Sequence, residues 1–307
     1  MKLTVIIPVH NEAETLDAFL AAVTPVLEQT EHTFEYLFVD DGSKDTTFSL
    51  LQQKARTNPR IKVVRLSRNF GKECALLAGF DNAAGDAVLV MDVDLQDPPD
   101  VIPQMLAAWR EGAKVVLTRR DNRDSDSYWK RSTAGWFYKI YNAMARVKIP
   151  DNVSDFCLLD REAVDAFVQL RERCRFNKGL FAWIGYEPVV IPYMRPARTQ
   201  GESSWPLRKL WSFALDGLTS FSTRPLKLWT YIGSLIAALS FIFGVYVIIR
   251  TLVYGVDTPG YASLIAVVSF LGGIQLVSLG VLGEYLARVY SEVKDRPVYL
   301  VRQKIGF

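Results

Sequence analysis

At 307 residues and 50% hydrophobic composition, the chain has enough apolar material for one α/β domain and a smaller appendage, which excludes a single long disordered protein. A formal net charge of +3 is too mild to indicate nucleic acid as a partner. Three cysteines, Cys74, Cys157 and Cys174, make no CxxC pair and an odd count, the pattern of structural cysteines in a reduced compartment rather than of a zinc knuckle.

The apolar run before Pro8 is too short for a signal peptide, so the N-terminal half is expected to stay where it is made. Short β-branched or aromatic runs at 3–8, 34–40, 61–66, 87–92 and 114–118 predict strands. They alternate with helical spacing, notably over 71–84 and 100–111, in a βαβ rhythm. Continuous rather than alternating apolar strands imply a mostly parallel, doubly wound α/β sheet covered on both faces, with ligands beyond the carboxyl ends of the strands.

Helical patterns follow over 127–146, 160–172 and 177–185, and a last strand over 188–193. The polar, glycine-containing stretch 195–204 reads as a loop, and 205–221 as an amphipathic helix lying in a membrane interface. Residues 229–249 and 261–283 carry no charge and are long enough, at about 1.5 Å per residue, to cross a hydrocarbon layer roughly 30 Å thick. Joined by a short turn, they predict a transmembrane hairpin. Basic residues flank both ends (Arg208, Lys209, Arg224 and Lys227 before; Arg288, Lys294, Arg296, Arg302 and Lys304 after), which places the α/β domain and both termini in the cytoplasm. Glu284 is expected to face headgroups or Arg288 one turn on. The resulting division is an α/β domain over 1–200, a loop and interfacial helices over 201–227, the hairpin over 228–287 and a cytoplasmic tail over 288–307.

The strongest local signal is MDVDLQDPPD, beginning at Met91 after a hydrophobic strand. Residues i and i+2 of an extended segment face one side, so Asp92 and Asp94 can present two carboxylates to one ligand. Hard oxygen ligands suit Mg2+ or Mn2+, and Mg2+ shares its shell with ligand phosphates. Asp97 before Pro98 also fits a helix N-cap. A second constellation joins Pro8, His10, Asn11 and Glu12 after the first strand to Asp40, Asp41, Gly42 and Ser43 after the second. In a doubly wound sheet these strand ends are neighbours, and their side chains can meet a nucleoside, although Asp41-Gly42 is also an ordinary turn and Asn11 an ordinary cap. A third element, SRNFGKE from Ser67, brings Arg68 and Lys72 within reach of a pyrophosphate. No P-loop and no GxGxxG follows a strand. Asp155, in SDF, reads by spacing alone as a cap or solvated side chain, and Arg195 and Arg198 as attractors of anionic lipid.

As an ordered set, VIIPVHNE, FVDDGSKD, LSRNFGKE, MDVDLQDPP, SDFCLLDR, FNKGLFAWIGY and RTQGESSWPLRKL resemble glycosyltransferase family 2, in particular its polyprenyl-phosphate branch of dolichol-phosphate mannose synthases and bactoprenol glucosyltransferases. The resemblance implies a GT-A-type fold and an inverting transfer of a sugar, with UDP-glucose as first choice of donor, to polyprenyl (undecaprenyl) phosphate. It places Pro8, Asn11, Glu12, Asp40, Asp41, Lys72 and Asp92 at the donor nucleotide, Asp92 and Asp94 on the metal, and Asp94 and Asp155 at the catalytic centre. Arg195, Arg198, Gln200, Ser203 and Lys209 fall to the acceptor and phosphates. The chain departs from the mannose synthases at Cys157, where those enzymes look to carry arginine, so the sugar is not borrowed from them. No QxxRW segment occurs, which argues against a processive polysaccharide synthase. Transfer of another sugar or to another lipid acceptor, and a non-catalytic nucleotide-sugar-binding membrane adaptor or flippase, remain the alternatives. Glycines 272, 273, 280 and 283 would permit close helix association, and a homo-oligomer is expected.

Overall fold

The computed structural model describes residues 1–120, 153–173, 175–194, 224–254 and 260–307. Two compact units result, Met1–Gly217 with Arg296–Phe307, and Leu218–Asp295. The first is built on an eight-stranded sheet. In chain order it contains β1 (Lys2–Val9), α1 (Leu16–Glu28), β2 (Thr33–Asp40), α2 (Thr47–Thr57), β3 (Ile61–Leu66), α3 (Lys72–Asn82), β4 (Ala87–Val90), α4 (Ile102–Arg110), β5 (Val115–Arg120), β6 (Val153–Asp160), α5 (Arg161–Val168), α6 (Asn177–Trp183), β7 (Pro188–Tyr193) and the final strand β8 (Val301–Ile305).

The spatial order is β7-β5-β6-β4-β1-β2-β3-β8. β1 pairs in parallel with β2 and β4, β2 with β3, and β5 with β7, whereas β6 runs antiparallel to β4 and β5, and β8 antiparallel to β3. The centre is buried on both faces, as the unbroken apolar strands foretold: Val5, Ile6 and Ile7 of β1 and Val88 and Leu89 of β4 are fully enclosed. α1 presents Leu16, Phe19, Val23 and Leu27 to the core at helical spacing. α3 is buried over most of its length, Ala75 to Phe80, and approaches β1 so closely that a side chain at Gly79 would collide with Ile6. That buried helix brings its N-terminal residue, Lys72, to the carboxyl end of the sheet.

Two strands went unread in the sequence. β6 lies where Asp155 reads as an isolated polar residue. β8 falls in the stretch expected as a cytoplasmic tail; it completes the sheet edge instead. Around it Ser67 N donates to Leu300 O (2.9 Å), Tyr299 Oη donates to Asp81, and Arg171 grips Asp81 with two bonds of 2.6 and 2.8 Å.

The second unit contains α7 (Arg224–Tyr254) and α8 (Tyr261–Val293), which touch each other. They carry exposed apolar side chains, among them Leu235, Phe241, Ile242, Phe270 and Leu276, a surface that suits lipid rather than water. Among the described residues one helical segment, Phe270–Val293, is long and apolar enough to cross a membrane, and Tyr231–Tyr246 is a shorter apolar one. Arg288 donates to Glu284 one turn earlier (3.2 Å), the pairing expected of that glutamate.

Candidate active site

From β1 the chain winds outward through β2 and β3, then returns to place β4 on the other side of β1. The direction of winding reverses between β1 and β4, and ligands of open α/β sheets bind outside the carboxyl ends of strands at such a point. Glu12 follows β1 and Asp92 and Asp94 follow β4, so the acidic residues singled out in the sequence meet there.

On the β1–β2 side the polar residues are largely committed to the backbone. Asn11, with a positive φ of 58°, donates its N–H to Ser43 Oγ (3.0 Å) and accepts from Lys44 N at Oδ1 (2.9 Å). Asp40 is fully buried, accepts from Ser43 N (2.9 Å) and pairs with Arg65 across the neighbouring strand (3.3 Å). Asp41 accepts from Phe70 N (2.7 Å) and Gly71 N (2.8 Å), one on each carboxylate oxygen. This clamp draws the 67–71 loop so near that a Cβ at Gly42, whose φ is +69°, would lie 2.5 Å from the Arg68 carbonyl carbon. Pro8 sits in β1 opposite Val39. Glu12 accepts from Thr15 Oγ1 (3.1 Å); burial first, and the nearby charges of Asp94 and Asp92, raise its pKa above the ordinary value.

On the β4–β6 side the bonds run between charged side chains. The antiparallel register pairs Val88 with Leu159, Leu89 with Leu158 and Val90 with Cys157, and just past the end of this ladder Asp92 and Asp155 come together on one cation. Like charges directly opposite repel unless a cation lies between them. Lys72 is that cation, 2.7 Å from Asp92 Oδ2 and 2.8 Å from Asp155 Oδ2. A second lysine, Lys178 of α6, stands 3.4 Å from Asp155 Oδ1 and donates to Val153 O (2.9 Å). Burial alone would raise the pKa of Asp155, but Lys178 and Lys72 override it and hold the carboxyl well below the usual range. Asp92 is pushed up by burial, with Lys72 opposing and Asp155 adding to the rise. Burial would lower Lys72, but Asp155 and Asp92 keep its ammonium protonated beyond the ordinary lysine range.

β4 ends at Val90, although Met91 N still donates to Ile6 O (3.1 Å); Asp92 lies just past the strand and Asp94 on the turn that follows, where the backbone bends with Leu95 at a φ of 54°. Asp94 is exposed and accepts from Gln96 N (3.2 Å). Asp97 is not an N-cap: the following 3-10 turn has no side-chain cap, and Asp97 is buried, accepting from Ser154 Oγ (3.3 Å) and Tyr193 Oη, which ties the turn to β6 and β7. Among the described residues no three His, Cys, Asp or Glu side chains are grouped to hold an ion unaided. Asp92 and Asp94 are hard oxygen donors near enough to Glu12 to raise its pKa, a donor chemistry that suits Mg2+ or Mn2+. Burial pushes the Cys74 thiol up to about 11 and raises Cys157 further, as suits structural cysteines. Cys174, and the residues expected at the acceptor, Arg195, Arg198, Gln200, Ser203 and Lys209, lie outside the described residues.

Sequence reasoning missed Lys178 and Glu73. Both stand in motifs that carry the family resemblance, FNKG and FGKE, and neither has a spacing that marks it.

An aspartate pair, a partly exposed lysine and a second strand's aspartate thus line the winding reversal of an α/β sheet. The chain belongs to glycosyl transferase family 2, whose model matches residues 4–167, and a second model, the GtrB C-terminal hairpin, matches 224–289. It is 50% identical over 306 residues to an uncharacterized glycosyltransferase of Synechocystis sp., covering 100% of this chain and 96% of that one. It is 46% identical over 303 residues to the SfII prophage-derived bactoprenol glucosyl transferase of Shigella flexneri, covering 99% and 98%. To the prophage bactoprenol glucosyl transferase homolog of Escherichia coli K12 it is 43% identical over 303 residues, covering 99% of each.

Proposed function

We propose that the protein moves glucose from UDP-glucose to undecaprenyl phosphate at the cytoplasmic face of the membrane, with inversion at the anomeric carbon. The observation that carries the chemistry is the Asp92–Lys72–Asp155–Lys178 chain of charge at the winding reversal; full-length similarity to bactoprenol glucosyl transferases supports the donor and acceptor.

In this reading an acceptor phosphate oxygen attacks the anomeric carbon as the bond to the leaving diphosphate breaks. A phosphate monoester has a second pKa near about 6, so it is mainly ionised at neutral pH and needs no strong base. Asp155 suits that demand, because a carboxyl held below its usual range is a poor base and a good anchor for charge. It orients the acceptor and keeps Lys72 and Lys178 facing the phosphates. Asp92 and Asp94 would hold Mg2+ or Mn2+, which when bound supplies neutralising charge to the diphosphate. Glu12 and the frame built by Asn11, Asp40 and Asp41 shape the nucleoside pocket. Arg195, Arg198, Gln200, Ser203 and Lys209 complete the proposal as the acceptor segment, and α7 and α8 as a two-pass anchor with both termini cytoplasmic.

The test is transfer of radiolabel from UDP-glucose to undecaprenyl phosphate by the purified full-length protein in detergent. A labelled, mild-acid-labile glycolipid supports the proposal. Its absence, together with product from another nucleotide sugar, would reassign the donor. Nucleotide binding without any product would favour a non-catalytic adaptor.

A further inference from the structure

The two lysines that meet on Asp155 come from the starts of two different helices, Lys72 from α3 and Lys178 from α6. Their separation depends on how those helix ends are held together. The residue after Lys72, Glu73, accepts from the backbone N–H of Asn177 at Oε2 (2.8 Å), and its carbonyl oxygen accepts from Asn177 Nδ2 (3.2 Å). Asn177 is the residue before Lys178, and its amide is one that a helix start leaves without an intrahelical acceptor. Its side-chain oxygen accepts in turn from Arg175 Nε (3.1 Å). One residue on each helix thus forms the joint, and the adjoining residue on each, Lys72 before Glu73 and Lys178 after Asn177, reaches Asp155.

We propose that Glu73 is a positioning residue that sets where the Lys178 ammonium stands against Asp155, and so governs turnover without touching either substrate. This rests on the function proposed above, in which Asp155 and the two lysines face the phosphates. The role calls for an acceptor at the Glu73 side-chain oxygen rather than for a negative charge. Glutamine keeps the acceptor, whereas alanine removes it and aspartate, one methylene shorter, withdraws it from Asn177. Outer partners that orient a reacting group typically change activity by about 10- to 100-fold when lost.

The experiment measures kcat and KM for UDP-glucose in the full-length enzyme for Glu73→Gln, Glu73→Asp and Glu73→Ala, each also combined with Lys178→Ala. The expected result is a kcat lowered about 10- to 100-fold in the alanine and aspartate variants with KM within about threefold, and most of the activity kept in the glutamine variant. In the Lys178→Ala background the Glu73 substitutions should cost little more, because the joint acts through that lysine. If the alanine variant does not fold, the aspartate variant decides. Glutamine as damaging as aspartate, or full additivity with Lys178→Ala, would overturn the inference while leaving the proposed function standing. A wild-type protein that transfers no sugar would overturn that function and this inference with it.

Discussion

The two banks of the site use polar side chains in opposite ways. On the β1–β2 bank, Asn11, Asp40 and Asp41 accept from backbone amides of Lys44, Ser43, Phe70 and Gly71, and the other oxygen of Asp40 pairs with Arg65. On the β4–β6 bank, Asp92, Lys72, Asp155 and Lys178 bond chiefly to one another, with 30%, 37%, 31% and 22% of their side chains still exposed. Side chains locked to backbone can shape a pocket but cannot re-pair when a ligand arrives. Charges that balance one another at a solvent-reachable surface can exchange partners with incoming phosphates. The first bank is therefore a frame and the second the working surface, and substitutions on each should fail differently.

The largest effect is expected at Asp94. Asp94→Ala removes an exposed carboxylate with one backbone contact, so its unfolding midpoint should stay near wild type while turnover falls about 100- to 1,000-fold, the range for losing one preorganised electrostatic partner of a developing charge. EDTA should reproduce the loss in the wild type and added Mg2+ or Mn2+ restore it; full activity in EDTA would remove the metal from the reading. Next comes Lys72→Met, which strips the shared cation from two facing carboxylates. It should lower both turnover and stability, the latter by about 1–3 kcal/mol, discounted from a fully buried pair because over a third of the lysine side chain is exposed. Chemical denaturation would check it, and an unchanged midpoint would mean the carboxylates are not held in repulsion.

On the frame, Asp41→Asn leaves one of two backbone amides without its acceptor and should cost about 1–3 kcal/mol, with KM for the donor rising and kcat nearly unchanged. A kcat defect with normal stability would erase the distinction between the banks. The smallest effect is a pH dependence at Glu73. Burial first, then the charge of Asp155, raise its pKa from 4.5 to about 7, with Asn177 N, Lys178 and Lys72 opposing; Cys74 and Arg175 are also near. A raised folded-state pKa contributes stability that is fully present below 4.5 and lost as pH rises through about 7. Glu73→Gln should therefore gain on the wild type as pH rises from about 4.5 to about 7 in thermal unfolding; a constant difference across that window would contradict the shift.

Much of the fold was legible because its strands are short, β-branched and apolar on both faces, a pattern that β1, β2, β3, β4, β5 and β7 all carry. β6 escaped because Ser154 and Asp155 break its apolar run at the end that matters, and only the folded arrangement brings Asp155 and Asp92 onto one lysine. β8, VRQKI, escaped because its basic residues read as a cytoplasmic flank; on an edge strand such charges are ordinary protection against further pairing. The Asp92/Asp94 and Glu12 cluster was legible from spacing, and Lys72 from its basic loop. Lys178 and Glu73 were not, since a lysine or glutamate on a helix is usually solvated and only tertiary packing places these two beside Asp155. The Asp97 cap failed for a related reason: its local sequence offers a helix start, but Ser154 and Tyr193, distant in sequence, bind its carboxylate.

The most direct measurement compares turnover of UDP-glucose with UDP affinity in Asp155→Asn. The expected result is a kcat lowered by about 100-fold or more with UDP affinity within about threefold of wild type, because asparagine keeps the shape but no longer anchors two ammonium groups. Near-wild-type turnover would contradict the central claim that the β4–β6 charge chain, and not the β1–β2 frame, carries the chemistry.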